Sequence, residues 1–161
     1  MIAIVLFGKP GAGKGTQAEF LKEKYNLSHI STGDVFRYNI KNETELGKKA
    51  QEFMNNGELV PDSITIDMLK GEVEKNMDKA GFLFDGFPRT IAQAEALDAF
   101  LKSINLAITA TVALDADDDV LVARILERGK TSGRPDDQDE TKIRTRYEKK
   151  KKKTAPLITY Y

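Results

Sequence analysis

The chain has 161 residues, and its 25 lysines and arginines balance its 25 aspartates and glutamates, so the formal net charge is zero. This length predicts one domain, and the balanced charge gives no overall field that would attract nucleic acid or a membrane surface. The sequence contains no cysteine, which excludes disulfides and thiolate metal sites. Its N-terminal apolar run, residues 2–7, is too short for a signal peptide or a membrane span, so we expect a cytoplasmic enzyme.

That apolar run is the first predicted strand, and it leads into a glycine-rich loop and a helical pattern at residues 16–25. The loop, residues 8–16, has the G-x-x-x-x-G-K spacing of a phosphate-binding loop, with Lys14 as its lysine. Backbone N–H groups and the helix N-terminus attract phosphate in such a loop. Gly15 stands where Ser or Thr usually binds Mg²⁺, so that hydroxyl is displaced to Thr16 or lost. The alternative, a glycine-rich turn without a ligand, does not account for the coincidence of strand, loop, lysine and helix.

Further apolar strand-like runs lie at residues 28–31, 81–84 and 107–114, with helical patterns between them. This alternation predicts a parallel sheet covered by helices on both faces, with ligands at the carboxyl ends of the strands. Residues 34–41 and 45–54 form two short helical patterns, and another helix follows Pro61. Because this segment is longer than a simple crossover, we interpret it as a helical excursion above the sheet that covers a second substrate.

The third predicted strand ends in the sequence Asp85-Gly86-Phe87-Pro88-Arg89. A carboxylate that closes a buried strand beside a phosphate loop suits the water-mediated shell of Mg²⁺. Asp85 is therefore the first candidate for this role and Asp34 the second, whereas a helix-cap or turn role is the alternative for Asp85. His29 is the only histidine, and we interpret it as a packing residue at a strand end.

Acidic residues follow the fourth predicted strand, at positions 115 and 117–119. Acids at a helix start complement the helix dipole, so we interpret them as capping residues and not as metal ligands. The helix that they begin, residues 118–128, is predicted to turn Val120, Leu121 and Ile125 toward the core. Arg124 and Arg128 lie four residues apart and therefore share a face of this helix.

Residues 129–137 contain two glycines and a proline, which predicts a loop, and Arg134 lies on it. The last helix is predicted from about Glu140 and carries Arg144 and Arg146. One guanidinium group can bind two phosphate oxygens at once, so arginines from these successive segments suit a polyphosphate. Taken one at a time, each also fits a solvated surface arginine. We interpret the lysines at residues 149–153 as a solvated helix face and not as a nucleic-acid site, since no aromatic platform accompanies them.

Several segments together resemble the adenylate kinases that have a short lid. They are the phosphate loop, Ser31-Thr32-Gly33-Asp34 with Arg37, residues 85–90, Gly133-Arg134-x-Asp136-Asp137, and Thr154-Ala155-Pro156-Leu157. The resemblance spans the whole chain and accounts for Gly15, since this family carries glycine at that position. It implies a single P-loop kinase domain of residues 1–161 with a doubly wound parallel sheet. Residues 31–61 would form its AMP-binding helical insertion and residues 128–138 its short lid loop, without the zinc that long-lid relatives often hold through cysteines.

The resemblance implies reversible, Mg²⁺-dependent phosphoryl transfer from ATP to AMP, giving two ADP. The residues implied for ATP are Gly11, Ala12, Gly13, Lys14, Gly15, Thr16, Arg124 and Arg128. Those implied for AMP are Thr32, Arg37, Leu59, Val60, Gly86, Arg89, Gln93, Arg134 and Arg146. The implied catalytic set is Lys14, Arg89, Arg128, Arg134 and Arg146, with Arg144 as the alternative to Arg146. Asp85, and second to it Asp34, would hold Mg²⁺ through water.

Three other functions fit parts of the sequence. The nearest alternative is a related kinase that acts on UMP or CMP. However, Thr32 and Gln93 form the adenine-type pair, whereas the pyrimidine monophosphate kinases commonly have Ala and Asn at these positions. A phosphate-loop protein that acts as a signalling switch binds one nucleotide, so it would have no use for a second phosphate-facing set, Arg37 and Arg89. An inactive nucleotide-binding fragment is the third, because relatives usually continue past Tyr161 with a fifth strand and a closing helix. If that strand and helix are absent, we expect the fourth strand to be an open sheet edge, with reduced stability and self-association in place of the family's monomer.

Overall fold

The structure is a computed structural model that describes residues 1–9, 11–56, 58, 60–132 and 137–161. Within these residues four strands form one sheet: β1 Ile2–Gly8, β2 Leu27–Ser31, β3 Gly81–Asp85 and β4 Ala110–Leu114. The strand order is β2-β3-β1-β4, and all three pairings are parallel. The carboxyl ends of β1, β2 and β3 therefore meet at one edge of the sheet, as the sequence predicts.

Helices connect the strands and extend the chain beyond them. They are α1 Lys14–Tyr25, α2 Thr32–Lys41, α3 Glu45–Asn55, α4 Asp62–Lys75, α5 Ile91–Ser103, α6 Asp118–Ser132 and α7 Glu140–Tyr160. Three of them, α2 to α4, lie between β2 and β3, where the sequence predicts a helical excursion. No helix in the described part of the chain is long and apolar enough to cross a membrane.

The two faces of β1 pack into separate hydrophobic clusters, because side chains alternate across a strand. Ala3, Val5 and Phe7 pack in a cluster with residues of α4, α5 and α7. Ile4 and Leu6 pack in another cluster, which contains Ala18 of α1. Helices therefore cover both faces of the sheet, and the predicted α/β architecture is confirmed.

Helix α6 differs from the prediction in its end. It continues to Ser132, so the first part of the predicted lid loop is helical. Gly129, which the sequence suggests as the start of a loop, lies inside this helix. Glycine is needed there because Asp137 packs close against the helix at this point. A Cβ atom at Gly129 would lie 2.5 Å from the carbonyl oxygen of Asp137. Any residue other than glycine would therefore clash with this carbonyl. Residues 133–136 of the predicted loop, including Arg134, lie outside the described residues.

The buried face of α6 also differs from the prediction at one position. Val120 was predicted to face the core, but it is 45% exposed. Leu121 and Ile125 are buried as predicted, and Val122 is buried in place of Val120. The reason is that α6 packs against α7, in a cluster that includes Ile143, so the apolar stripe of α6 is set by that helix.

Strand β4 is shorter than the predicted run at residues 107–114. Thr109 precedes it and bonds twice to Ala3: its hydroxyl accepts from the Ala3 N–H at 3.0 Å, and its own N–H donates to the Ala3 carbonyl at 2.7 Å. Among the described residues β4 is the last strand on its side of the sheet, and Ala110, Thr111 and Ala113 are exposed.

Candidate active site

The glycine-rich loop between β1 and α1 has the backbone conformation that its sequence predicts. Gly11 and Gly13 both have positive φ, at 85° and 94°, which L side chains rarely adopt. Gly13 is the N-cap of α1, and Lys14 is the first helical residue. The loop therefore presents the N-terminus of α1, with its unpaired N–H groups, to the carboxyl edge of the sheet.

Asp85, the last residue of β3, is the centre of the polar site. Its Oδ1 accepts a hydrogen bond from Lys14 Nζ at 2.9 Å, and its Oδ2 lies 3.2 Å from His29 Nε2. Its backbone carbonyl accepts a bond of 3.3 Å from the hydroxyl of Thr32, the first residue of α2. The structure therefore brings together Lys14, Thr32 and Asp85, three of the residues that the sequence proposes for the site.

The charge of Asp85 follows from these contacts. Burial alone would raise the pKa of Asp85, because a carboxylate loses its hydration in the protein. The hydrogen bond with His29 and the positive charge of Lys14 more than offset burial and lower the pKa to about 2. Asp85 is therefore ionised at neutral pH, which is the form that can orient the water shell of a divalent cation.

His29 was predicted to be a packing residue, and this prediction is wrong. Its side chain is 17% exposed and binds the carboxylate of Asp85 at the carboxyl edge of the sheet. The bond exists because β2 pairs with β3 in a register that places Ser31 beside Asp85, with His29 two residues earlier on β2. Two features of His29 could have suggested this contact: it lies on a predicted strand, and it is two residues from the carboxyl end of that strand. The register between β2 and β3, however, is not visible in the sequence.

Asp34, the second candidate for Mg²⁺, does not join this group. It pairs with Arg37, three residues later on α2, and its side chain is 71% exposed. Within the described residues there is no cluster of three or more His, Cys, Asp or Glu side chains that could hold a metal ion. A single ionised carboxylate suits Mg²⁺, which usually takes its remaining ligands from water and phosphate oxygens.

The turn after β3 positions Arg89 against the same edge. Arg89 Nε donates to the carbonyl of Gly86 at 2.8 Å, so the guanidinium folds back over the turn. Gly86 has a φ of 81°, and a Cβ atom there would lie 2.8 Å from the hydroxyl of Thr32. Glycine is therefore required at this position both for its conformation and for the close approach of α2.

Gln93 holds this turn from α5. Its Oε1 accepts from the backbone N–H of Arg89 at 2.8 Å, and its Nε2 donates to Asp62 Oδ1 at 2.7 Å. Asp62 is the first residue of α4, so Gln93 connects the turn to the helical excursion. Asp62 is not among the site residues predicted from the sequence, because its contact partner lies 31 residues away in the chain.

Arg89 and Arg146 lie close enough for their charges to interact. Burial lowers the pKa of Arg89, and the positive charge of Arg146 lowers it further, whereas Asp85 raises it. Arg144, the alternative to Arg146, instead pairs with Asp119 at 2.7 Å and with Glu140 at 3.0 Å. Arg146, and not Arg144, is therefore the arginine of α7 whose charge acts on Arg89.

The remaining arginines contact other parts of the protein. Arg124 Nη1 donates to the carbonyl of Gly11 at 3.2 Å, so it lies against the phosphate loop. Arg128 forms a two-bond pair with Asp137, through Nε at 3.0 Å and Nη2 at 2.8 Å, and Asp137 is fully buried. Asp137 belongs to the Gly133-Arg134-x-Asp136-Asp137 motif, but its pairing with Arg128 was not predicted from the sequence. Leu59 and Arg134, both proposed for the AMP site, lie outside the described residues.

A narrow cleft marks where these groups face one another. It is lined by Gly8 and Lys14 from the phosphate loop, by Gly86 and Arg89 from the turn after β3, and by the apolar side chains between them. The cleft thus joins the N-terminus of α1, one cation of the loop and one cation of the turn. An anionic ligand that spans this gap would contact positive groups on both sides.

Comparison with known proteins points to one family. A family model described as adenylate kinase matches residues 6–161. Adenylate kinases of Flavobacterium psychrophilum and Flavobacterium johnsoniae are each 71% identical over all 161 residues of this chain, which span 85% of those proteins. The adenylate kinase of Bacteroides thetaiotaomicron is 48% identical over the same 161 residues and is also covered over 85% of its length.

Proposed function

The chain belongs to the adenylate kinase family, and we propose that its reaction, the transfer of a phosphoryl group from ATP to AMP, takes place over the Lys14–Asp85 pair. The observation that carries this proposal is the convergence of one ionised carboxylate with cations from separate elements. Lys14 bonds to Asp85, and Arg89 and Arg146 are near enough to influence each other. Such a site stabilises the charge of a phosphoryl group in transfer.

We assign the ATP phosphates to the phosphate loop. Positive φ at Gly11 and Gly13 lets the loop open its N–H groups toward a ligand, and the first turn of α1 adds partial positive charge. Lys14 would move its ammonium from Asp85 to the β- and γ-phosphates, a short displacement within the same cleft. Ala12, Gly15 and Thr16 complete this loop, and Arg124 supports it through the carbonyl of Gly11.

Asp85 is our candidate for holding Mg²⁺ through water, since it is ionised and lies beside Lys14. When bound, Mg²⁺ would neutralise charge on the ATP phosphates. Asp34 is not part of this proposal, because its carboxylate is exposed and paired with Arg37.

We assign AMP to the space between the turn after β3 and the excursion α2 to α4. The residues that would bind it are Thr32, Arg37, Val60, Gly86, Arg89 and Gln93. Thr32 is buried against Gly86, and Gln93 is fixed by its bonds to Arg89 and Asp62, so contacts within the protein hold these groups in place. Order of this kind lowers the entropy cost of binding.

The chemical step needs no protein nucleophile. An oxygen of the AMP phosphate, already anionic at neutral pH, forms the new bond to the γ-phosphorus, and the bridging oxygen of ATP leaves with its electron pair as part of ADP. Arg89 and Arg146 would balance the charge on the equatorial oxygens. Arg128 is paired with Asp137, so its proposed phosphate contact requires that pair to open. We propose that it opens when the lid closes over the substrates, the motion by which adenylate kinase lids exclude water.

We further propose that the enzyme acts in the cytoplasm on small nucleotides and not on nucleic acid. The balanced charge and the cysteine-free sequence support this proposal.

An acceptor panel tests the proposed function. ADP formation from Mg·ATP is measured with AMP, CMP, UMP and GMP offered in turn. We expect AMP to be used far better than the others. Equal use of CMP or UMP would favour the pyrimidine kinase alternative, and ATP binding without turnover would favour an inactive fragment or a switch. The matched controls are Lys14→Met, expected to lose about 10²-fold or more in kcat, and Lys22→Met, an exposed lysine of the same helix paired with Glu19.

A further inference from the structure

A second lysine of the phosphate loop, Lys9, makes contacts that the phosphate motif does not account for. Its Nζ lies 2.5 Å from Oδ1 of Asp118, in the first turn of α6. The same ammonium lies 5.7 Å from the centre of the Tyr147 ring on α7, within the range of a cation–π contact. One side chain of the loop therefore contacts both α6, which carries Arg124 and Arg128, and α7, which carries Arg146.

Apolar contacts accompany this ion pair at the same interface. A Cβ atom at Gly11 would lie 3.1 Å from the carbonyl of Leu121 and 3.2 Å from a side-chain carbon of Ile125, so the loop backbone rests directly on α6. Ala12 packs against the cluster that α6 and α7 share. The backbone of the loop is thus supported at Gly11 and Ala12, and Lys9 extends that support to the start of α6.

The loop needs such support because it is rich in glycine. Gly8, Gly11 and Gly13 lose more conformational freedom on ordering than other residues would. An exposed ion pair adds little to the stability of a whole domain. A local equilibrium is more sensitive, because the apparent affinity for a ligand falls in proportion to the fraction of molecules whose site has the binding conformation.

Lys9 is also the main partner of Asp118. The side-chain hydrogen bond from Lys9 is the largest influence on Asp118 and lowers its pKa, with smaller contributions from the charges of Lys151 and Arg144. The Lys9 side chain is 26% exposed and that of Asp118 is 46% exposed, so the pair lies at the surface beside the loop.

We propose that Lys9 is a positioning residue for ATP, which holds the phosphate loop against α6 and α7 through Asp118 and Tyr147. Lys9 would set the affinity for ATP without touching the transferred phosphoryl group. This inference rests on the proposed function only in taking the loop as the ATP site.

Calorimetric titration with ATP and, separately, with AMP tests the proposal. We expect Lys9→Met and Asp118→Asn each to raise the Kd for ATP about threefold to fivefold and to leave the Kd for AMP unchanged. The double variant should be no weaker than Lys9→Met alone, because Lys9→Met already breaks the contact with Asp118. Lys9→Arg should restore the affinity to within about twofold, since arginine keeps the charge and the cation–π contact. Lys75→Met, which breaks an ion pair with Glu72 on α4, is the matched control and should change neither Kd.

Three results would overturn the proposal. One is an unchanged Kd for ATP in both single variants. A second is an additive effect in the double variant, which would mean that Lys9 and Asp118 affect ATP binding independently. The third is an equal loss of AMP affinity, which would mean a general effect on folding. An error in the proposed function would show differently, as a wild-type protein that binds ATP but forms no ADP when AMP is added.

Discussion

Asp85 is the residue on which the site depends most, because its side chain and backbone connect three segments of the chain. The carboxylate binds Lys14 and His29, and the carbonyl binds the hydroxyl of Thr32. The carboxylate is only 12% exposed, so removing it leaves a partly buried lysine without its counter-charge. The same group that would organise Mg²⁺ therefore also contributes to folding.

Replacing Asp85 with Asn should change how stability depends on pH. Because the pKa of Asp85 falls from 3.8 to about 2 on folding, its ionised form favours the folded state. This stabilisation is complete above about pH 5 and is lost as the pH falls through 4 toward 2, and it amounts to about 2 kcal/mol. Urea unfolding of the wild type and of Asp85→Asn from pH 7 to pH 2 measures it.

The expected signature is a difference in free energy of unfolding that shrinks as the pH falls. Asp78→Asn, a change at an exposed aspartate in the turn after α4, controls for removing one carboxylate. A difference between the wild type and Asp85→Asn that stays constant over the whole pH range would show that the Asp85 charge does not stabilise the fold.

Gln93 is fixed at both ends of its amide, and this predicts a second effect at the level of one residue. Asn at this position is one methylene shorter and cannot reach both the Arg89 N–H and Asp62. We expect Gln93→Asn to raise the KM for AMP and to lower the preference for AMP over CMP about tenfold, because a loosely held amide discriminates poorly. Steady-state kinetics with both acceptors measure this, with Gln51→Asn on α3, whose amide binds Asn55 of the same helix, as the control. An unchanged ratio of kcat/KM for AMP and CMP would remove Gln93 from adenine selection.

At the scale of elements, local signals in the sequence predicted more than long-range contacts did. The phosphate loop and its flanking elements follow from apolar runs and glycines that are adjacent in the chain, so β1 and α1 were predictable. The contact of His29 with Asp85 depends on the register between β2 and β3, which a single sequence does not reveal. The loop predicted from Gly129 onward rests on two glycines and a proline in nine residues, whereas Gly129 lies in the last turn of α6, where it allows Asp137 to approach the helix.

Another helical glycine supports a prediction about how α2 and α3 pack. A Cβ atom at Gly47 on α3 would lie 2.1 Å from the backbone carbonyl of Asn39 on α2, so Gly47→Ala must push the two helices apart. We expect this variant to lower the free energy of unfolding by about 1–3 kcal/mol and to raise the KM for AMP, because α2 carries Thr32 and Arg37. Urea unfolding at pH 7 and steady-state kinetics measure the two effects.

Gly71 provides the matched control, since it is also a helical glycine but has nothing within 4 Å of its added Cβ atom. Gly71→Ala should raise the free energy of unfolding by about 0.5–1 kcal/mol, because alanine favours the helix. Equal effects of the two substitutions would contradict the close packing of α2 against α3.

At the scale of the whole molecule, the two proposed nucleotide sites lie on different parts of the chain. The ATP site uses the loop between β1 and α1, which rests on α6. The AMP site uses the excursion α2 to α4, which contributes Ala50, Ile64 and Met68 to the hydrophobic cluster on one face of the sheet. The two parts meet at the carboxyl edge of β3, where Thr32 reaches the Asp85 carbonyl. A ligand that fills both sites should therefore tie the two parts together.

A dinucleotide of two adenosines joined by five phosphates tests this arrangement. It should raise the Tm more than ATP and AMP together at equal concentration, because binding of the second adenosine becomes intramolecular once the first is bound. At about 100 times its Kd we expect a rise of about 6–10 °C. In Lys14→Met the dinucleotide should raise the Tm only as much as AMP alone does, since only the AMP site would remain intact. Differential scanning fluorimetry measures these shifts, and equal shifts for the wild type and Lys14→Met would mean that the dinucleotide does not use the phosphate loop.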